Sequence, residues 1–157
     1  MKKAVNTGLS FGLTSGIITT LGLMVGLHGS TGSSMVVIGG ILTIAIADAF
    51  SDALGIHICQ ESVNQNTREV WESTISTFLS KFFFALTFTV PVIFFDITTA
   101  LIMSVAWGLL LIGAVSFIIA RKRKEAAWKV ICEHLLIALL VIAITHFVGL
   151  WIAAVFV

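Results

Sequence analysis

Residues 35–58 read MVVIGGILTIAIADAFSDALGIHI. The run is long enough to cross a bilayer, which takes about 20 apolar residues. Two carboxylates, Asp48 and Asp52, interrupt it four residues apart. Isolated strands cannot span lipid, because their backbone polar groups would go unpaired there, so the stretch reads as a transmembrane helix. A four-residue step turns such a helix by about 40° and advances it by about 6 Å, which puts Asp48 and Asp52 on one face. Gly55 and Cys59 continue that face and His57 points away from it. An Asp near the centre of a membrane helix costs roughly 2.5–3.5 kcal/mol, so the pair costs about 5–7 kcal/mol unless something positive offsets it.

The rest of the chain repeats the apolar character of this stretch. Of 157 residues, 58% are hydrophobic and only 11% charged, against roughly 25% charged in a soluble domain. Five apolar segments are expected, at 5–27, 35–58, 74–95, 98–120 and 130–157, giving an all-α integral membrane protein with five transmembrane helices in a single domain. The amino-terminal stretch MKKAVNTGLSFGL has the charge pattern of a signal peptide, but no small-x-small cleavage pattern follows, and it is read as a retained first span. The connectors are short. HGSTGSS carries Gly29 and Gly32 for a turn, Asp96 is placed to cap the fourth span, and CQESVNQNTREVWES is the longest polar stretch but too small for a domain. Pro91 is expected to kink the third span near one end. Two cysteines, Cys59 and Cys132, are too few for a disulfide framework.

The nine Lys and Arg residues fall before the first span, around the start of the third, and between the fourth and fifth. Five spans place those regions on one side, and the excess of basic residues there predicts a cytoplasmic N-terminus and an extracytoplasmic C-terminus. Trp71 and Trp128 suit that interface. Residues 121–125, RKRKE, read as a topological anchor rather than a nucleic-acid patch. Lys81 has two readings: it pairs with Asp52 as a fixed strut, or it snorkels to the interface.

Intramembrane acids commonly mark an ion or proton path. Two hard oxygen donors on one face suit a divalent cation, and the pair could also hold a proton. Thr14, Ser15, Thr19 and Thr20 lie at the depth of Asp48 and offer hydroxyls to a polar path. Gly8, Gly12 and Gly16 recur at a spacing that lets helices approach closely, within the chain or between two copies. His57, Cys59 and Glu61 are weaker candidates for a cytoplasmic mouth facing Cys132, Glu133 and His134, with chemistry suited to transition metals. His146 reads as a hydrogen-bonded packing residue, with a proton relay as the lesser alternative. No nucleophile triad, phosphate loop or nucleotide fingerprint supports an enzyme.

Residues 8–27, GLSFGLTSGIITTLGLMVGL, resemble the first helix of the vacuolar iron transporter family, which often reads G-x-x-D-G-I-[IV]-[ST]-T. Residues 44–62, IAIADAFSDALGIHICQES, are similar to its second helix, and residues 117–149, ending at Gly149, to its last two. The resemblance implies a homodimer that exports ferrous or manganous ions in exchange for protons, with the metal as cargo and no permanently bound cofactor. Asp48 matches the family's second-helix acid, and Ser51 and Gly55 its small positions. The family's first-helix acid falls at Ser15 and its second-helix methionine at Asp52, so a hard oxygen replaces a soft sulfur and manganese joins iron as an expected cargo. The acidic cytoplasmic domain of many members has no counterpart here. Two alternatives stay open: a non-transporting membrane scaffold, and a proton-coupled carrier of another small solute.

Overall fold

The computed structural model describes residues 2–63 and 66–156, with Lys2 in backbone only. Six helices follow in order: α1 (Lys2–Thr31), α2 (Ser34–Val63), α3 (Thr67–Thr87), α4 (Thr89–Phe94), α5 (Ile97–Arg123) and α6 (Ala127–Phe156). Five spans are long and apolar enough to cross a membrane, with α3 and α4 together forming the third. The chain is a multi-pass integral membrane protein.

The helices outrun the apolar segments at the basic end. Polar residues 59–63 continue α2, and α3 begins at Thr67 rather than at 74. A helix leaving the bilayer keeps its own hydrogen bonds, so nothing in a polar continuation forces it to stop. Asn64 and Gln65 of this connector lie outside the described residues. At the opposite end, Gly32 turns the chain between α1 and α2 with φ of 59°, a left-handed conformation that glycine adopts without strain. Its N–H closes on the His28 carbonyl at 2.9 Å.

Pro91 breaks the third span as expected. It has no N–H for the Thr87 carbonyl four residues back, and the helix is interrupted at Phe88. The Thr87 hydroxyl bonds to the Phe84 carbonyl at 2.7 Å and receives the Trp107 indole N–H at 3.4 Å, so α5 braces the break.

Asp96 caps α5, its carboxylate accepting the Thr99 N–H at 2.9 Å. That bond and a second one from the Thr99 hydroxyl hold the Asp96 carboxyl below its ordinary range. A depressed carboxyl contributes stability that is present above its unfolded value, about pH 4, and lost as pH falls through the folded value. Thermal unfolding in detergent is expected to show Asp96→Ala less stable than wild type at pH 6. The gap should narrow on acidification below pH ~4, and Asp96→Asn, whose side-chain oxygen caps without charge, should keep most of the stability at both pH values.

Small side chains face inward and large ones face lipid. The buried positions of α3 include Ser73, Ser76, Thr77 and Ser80, and those of α2 include Ala45, Ala49 and Ala53, while Phe50, Leu54, Ile58, Ile75 and Leu79 are exposed. Lipid offers helices no hydrophobic reason to associate, so small surfaces that pack closely take over. The inward hydroxyls of α3 satisfy themselves on their own helix, as Ser76 does on the Glu72 carbonyl at 2.6 Å and Thr77 on that of Ser73 at 2.8 Å.

Helix α1 is the central element and packs against α2, α3, α5 and α6. A Cβ at Gly8 would overlap Ser76 and the Ser73 carbonyl, and one at Gly12 would overlap Ser80 and the Thr77 carbonyl. The glycine stripe is therefore used within the chain, against α3, and is not free to meet a second copy. Farther along α1, Gly22 and Gly26 approach Val141 and Thr145 of α6, and Gly29 approaches Gly149. A conventional apolar core of Ile17, Leu21, Met24, Val37, Ile41, Phe88 and Val92 fills the half of the bundle that holds the α1–α2 turn.

Candidate cation site

Three spans each deliver a polar residue at their midpoint. Ser15 lies halfway along α1, Asp48 halfway along α2, and Lys81 halfway along the span formed by α3 and α4, with Asp52 one turn from Asp48. The close α1–α3 approach brings them together. At Gly16 a Cβ would sit 3.1 Å from Lys81 Cγ, so the lysine stem runs along a helix surface with no side chain in the way. The side chain is buried there, only 1% exposed.

Lys81 Nζ donates to Asp52 Oδ2 at 2.5 Å and to Ser15 Oγ at 2.9 Å. The Ser15 hydroxyl in turn donates to the same Asp52 oxygen at 2.5 Å. Asp48 Oδ2 lies 2.6 Å from the ammonium, yet this oxygen accepts no hydrogen bond among the described residues. The contact is close but poorly directed: Asp48 feels the charge of Lys81 without taking one of its protons along a good line. Asp52 takes both the ammonium and the Ser15 hydroxyl, whereas Asp48 has the ammonium alone. The snorkelling reading of Lys81 is overturned, and this lysine does not count toward the basic interface.

Charge counting sharpens the point. Two carboxylates face one ammonium, so the cluster is one positive charge short of neutral. The shortfall falls on Asp48, whose side chain is 30% exposed, more than the 20% of Asp52. Asp48 borders a groove of about 750 Å³ between α1, α2 and α6, lined also by Thr19, Ser51 and Thr145.

The other candidates sit elsewhere. Thr14 and Thr19 turn their hydroxyls back onto the Ser10 and Ser15 carbonyls at 2.8 and 3.0 Å; Thr19 reaches the groove and Thr14 does not line it. Thr20 is fully buried, its hydroxyl without a partner among the described residues. Gly55 has open space where a side chain would be. Cys59, Glu61, Cys132 and Glu133 are exposed, both cysteines as free thiols. They do not converge into a mouth, and among the described residues no group of three or more His, Cys, Asp and Glu side chains is placed to hold a metal. His57 faces α3 instead, with Nδ1 2.9 Å from Thr74 Oγ1, and His134 meets Ser116 of α5 at 2.8 Å. Each hydroxyl already donates to its own helix, Thr74 to Val70 and Ser116 to Ile112. In both pairs, then, the ring Nδ1–H donates to the hydroxyl oxygen. Nothing in the types His57–Thr74 or Ser116–His134 stands out in the sequence, because hydroxyls are common throughout these helices. His146 is exposed with its ring against Phe147 at 5.8 Å, and it makes no side-chain hydrogen bond among the described residues, contrary to the packing role expected for it.

The resulting centre is a buried ammonium between two carboxylates, Asp52, which also takes the Ser15 hydroxyl, and Asp48, which borders the groove. No protein-family model, curated protein or solved structure matches the chain, so the chemistry of this centre rests on its own geometry.

Proposed function

We propose that the protein is a membrane carrier of divalent transition-metal cations, iron or manganese, exporting them from the cytoplasm in exchange for protons. One observation carries the reading: a mid-membrane cluster of two carboxylates and one ammonium, left one positive charge short on the side where Asp48 is accessible. A proton on Asp48 and a metal at Asp48 are alternatives for the same missing charge, and exchange requires such alternatives. Lys81 already occupies a cation's place between the acids. Cargo entering from the groove would draw Asp48 away first, since Asp52 is held by both Lys81 and Ser15. The resemblance of α1 and α2 to the vacuolar iron transporter family supports the same cargo and, with it, a homodimer.

The proposed orientation has the N-terminus in the cytoplasm. Lys3, Arg68, the run 121–124 and Lys129 sit at the start of α1, the start of α3, the end of α5 and the start of α6. With five spans those ends share a side, and basic residues favour the cytoplasm.

A second reading has specific support. Lys81 is sealed from solvent and no three-ligand metal set exists among the described residues, which suits a fixed ion pair in a non-transporting scaffold. Vesicle flux separates the two. Reconstituted wild type should move Mn²⁺ or Fe²⁺ when a proton gradient is imposed, with Asp48→Asn and Asp52→Asn each reducing initial rates at least tenfold while melting near wild type. Vesicles impermeable to both ions under every gradient would leave the scaffold reading in place.

A further inference from the structure

We infer that the groove against Asp48 is a binding site for a lipophilic organic monocation that enters sideways from the bilayer. Asp48 stands between two environments, a buried ammonium on one side and the open groove on the other. Its Oδ2 faces the ammonium at 2.6 Å, its side chain is still 30% exposed, and two carboxylates share the one ammonium. A monocation of unit charge meets that shortfall.

The walls select the kind of cation. Ile18, Leu23, Ile44 and Val141 dominate the lining. Besides Asp48, the polar side chains there are three hydroxyls, those of Thr19, Ser51 and Thr145. A small hydrated ion would exchange its water for very few oxygens in the groove itself. A cation whose charge is spread over a hydrophobic body dissolves in the bilayer with little hydration to surrender, and what it gains in the groove is the charge of the Asp48 carboxylate in a low-dielectric setting. Depth excludes lipid headgroups: Asp48 is 13 and 10 residues from the ends of the apolar stretch 35–58, roughly 20 and 15 Å at 1.5 Å per residue. The inference uses the same accessible side of Asp48 as the metal reading and goes beyond it in the class of ligand, needing neither metal nor flux.

The probe is tetraphenylphosphonium, added to the full chain in phosphatidylcholine nanodiscs, with binding measured by equilibrium dialysis against empty discs. Saturable binding is expected, with affinity at least tenfold weaker in Asp48→Asn. Ala47→Phe fills the groove from an exposed position while leaving every charge in place, and it should weaken binding at least as much without lowering the melting temperature. The inference is overturned if Asp48→Asn binds like wild type, if Ala47→Phe does, or if uptake never exceeds that of empty discs. It is also overturned if wild type binds no probe because a second copy covers the groove, seen as a dimer that Ala47→Phe splits into monomers. Mn²⁺ flux in the same preparations is scored separately: probe binding without flux leaves this site standing and removes the metal reading, and flux without probe binding does the reverse.

Discussion

Lys81→Met is expected to be the most destabilising charge change in the chain, costing about 3–5 kcal/mol, the range for removing one partner of a buried ion pair. The argument is asymmetric. Removing an acid corrects the imbalance of the cluster: Asp48→Asn leaves Lys81 with Asp52, and Asp52→Asn leaves it with Asp48, each a one-to-one pair. Removing the lysine leaves two carboxylates side by side at mid-membrane with the Ser15 hydroxyl as their remaining polar contact from α1. Thermal unfolding in detergent should therefore rank wild type and the two Asn variants together and Lys81→Met well below them. The triple variant Lys81→Met, Asp48→Asn, Asp52→Asn should recover most of the loss, since it removes the unpaired charge while keeping the volume. If the triple variant melts no higher than Lys81→Met, the lysine acts by packing alone and the electrostatic account is wrong.

The second large effect is expected on the other side of the same junction. Gly12→Leu should push α1 off α3, because its Cβ already overlaps the Ser80 hydroxyl and the Thr77 carbonyl, and lies 3.0 Å from the Thr77 carbonyl carbon. A rotating hydroxyl can yield; a helix backbone cannot. Overpacking in well-packed interiors costs typically 1–3 kcal/mol, and a collision with backbone belongs at about the upper end. The damage should also be functional, since Ser15 lies one turn from Gly12 and its place beside Lys81 depends on the same approach. Loss of metal flux and of probe binding is expected together with the drop in melting temperature. Gly39→Ala and Gly113→Ala are the controls. Both sit within helices with nothing within 4 Å of the added Cβ, and they should be neutral or stabilising by up to about 1 kcal/mol through helix propensity.

These two predictions mark what could be read from residues alone. The spans were legible because hydropathy records a simple requirement, a length of apolar helix matched to lipid thickness. The Pro91 break and the Asp96 cap were legible because each is local chemistry, a missing N–H and a carboxylate beside a free one. Lys81 was harder. Seven residues from the polar stretch that ends near 74, it has the length to reach the interface, and nothing in its own segment says otherwise. Its inward turn to Asp48 and Asp52 depends on how closely α3 packs against α1 and α2, which hydropathy does not record. The glycine stripe could not reveal its partner, since the same spacing serves contact within a chain and between chains. The supposed mouth of Cys59, Glu61, Cys132 and Glu133 failed for a related reason: closeness to one membrane surface does not fix which way a side chain turns about its helix.

The short passage from α2 to α3 bears on how the chain gets into the membrane at all. Helix α2 ends at Val63 and α3 begins at Thr67, with both acids upstream and their ammonium downstream. Handed to the bilayer one after another, the three charges would face hydrocarbon at roughly 8–10 kcal/mol in total. Delivered as a hairpin, the two segments cancel most of that burden before either meets lipid. During synthesis α2 should thus linger beside the insertion machinery until residue 81 has emerged, making the salt-bridged pair a unit of biogenesis as well as of architecture.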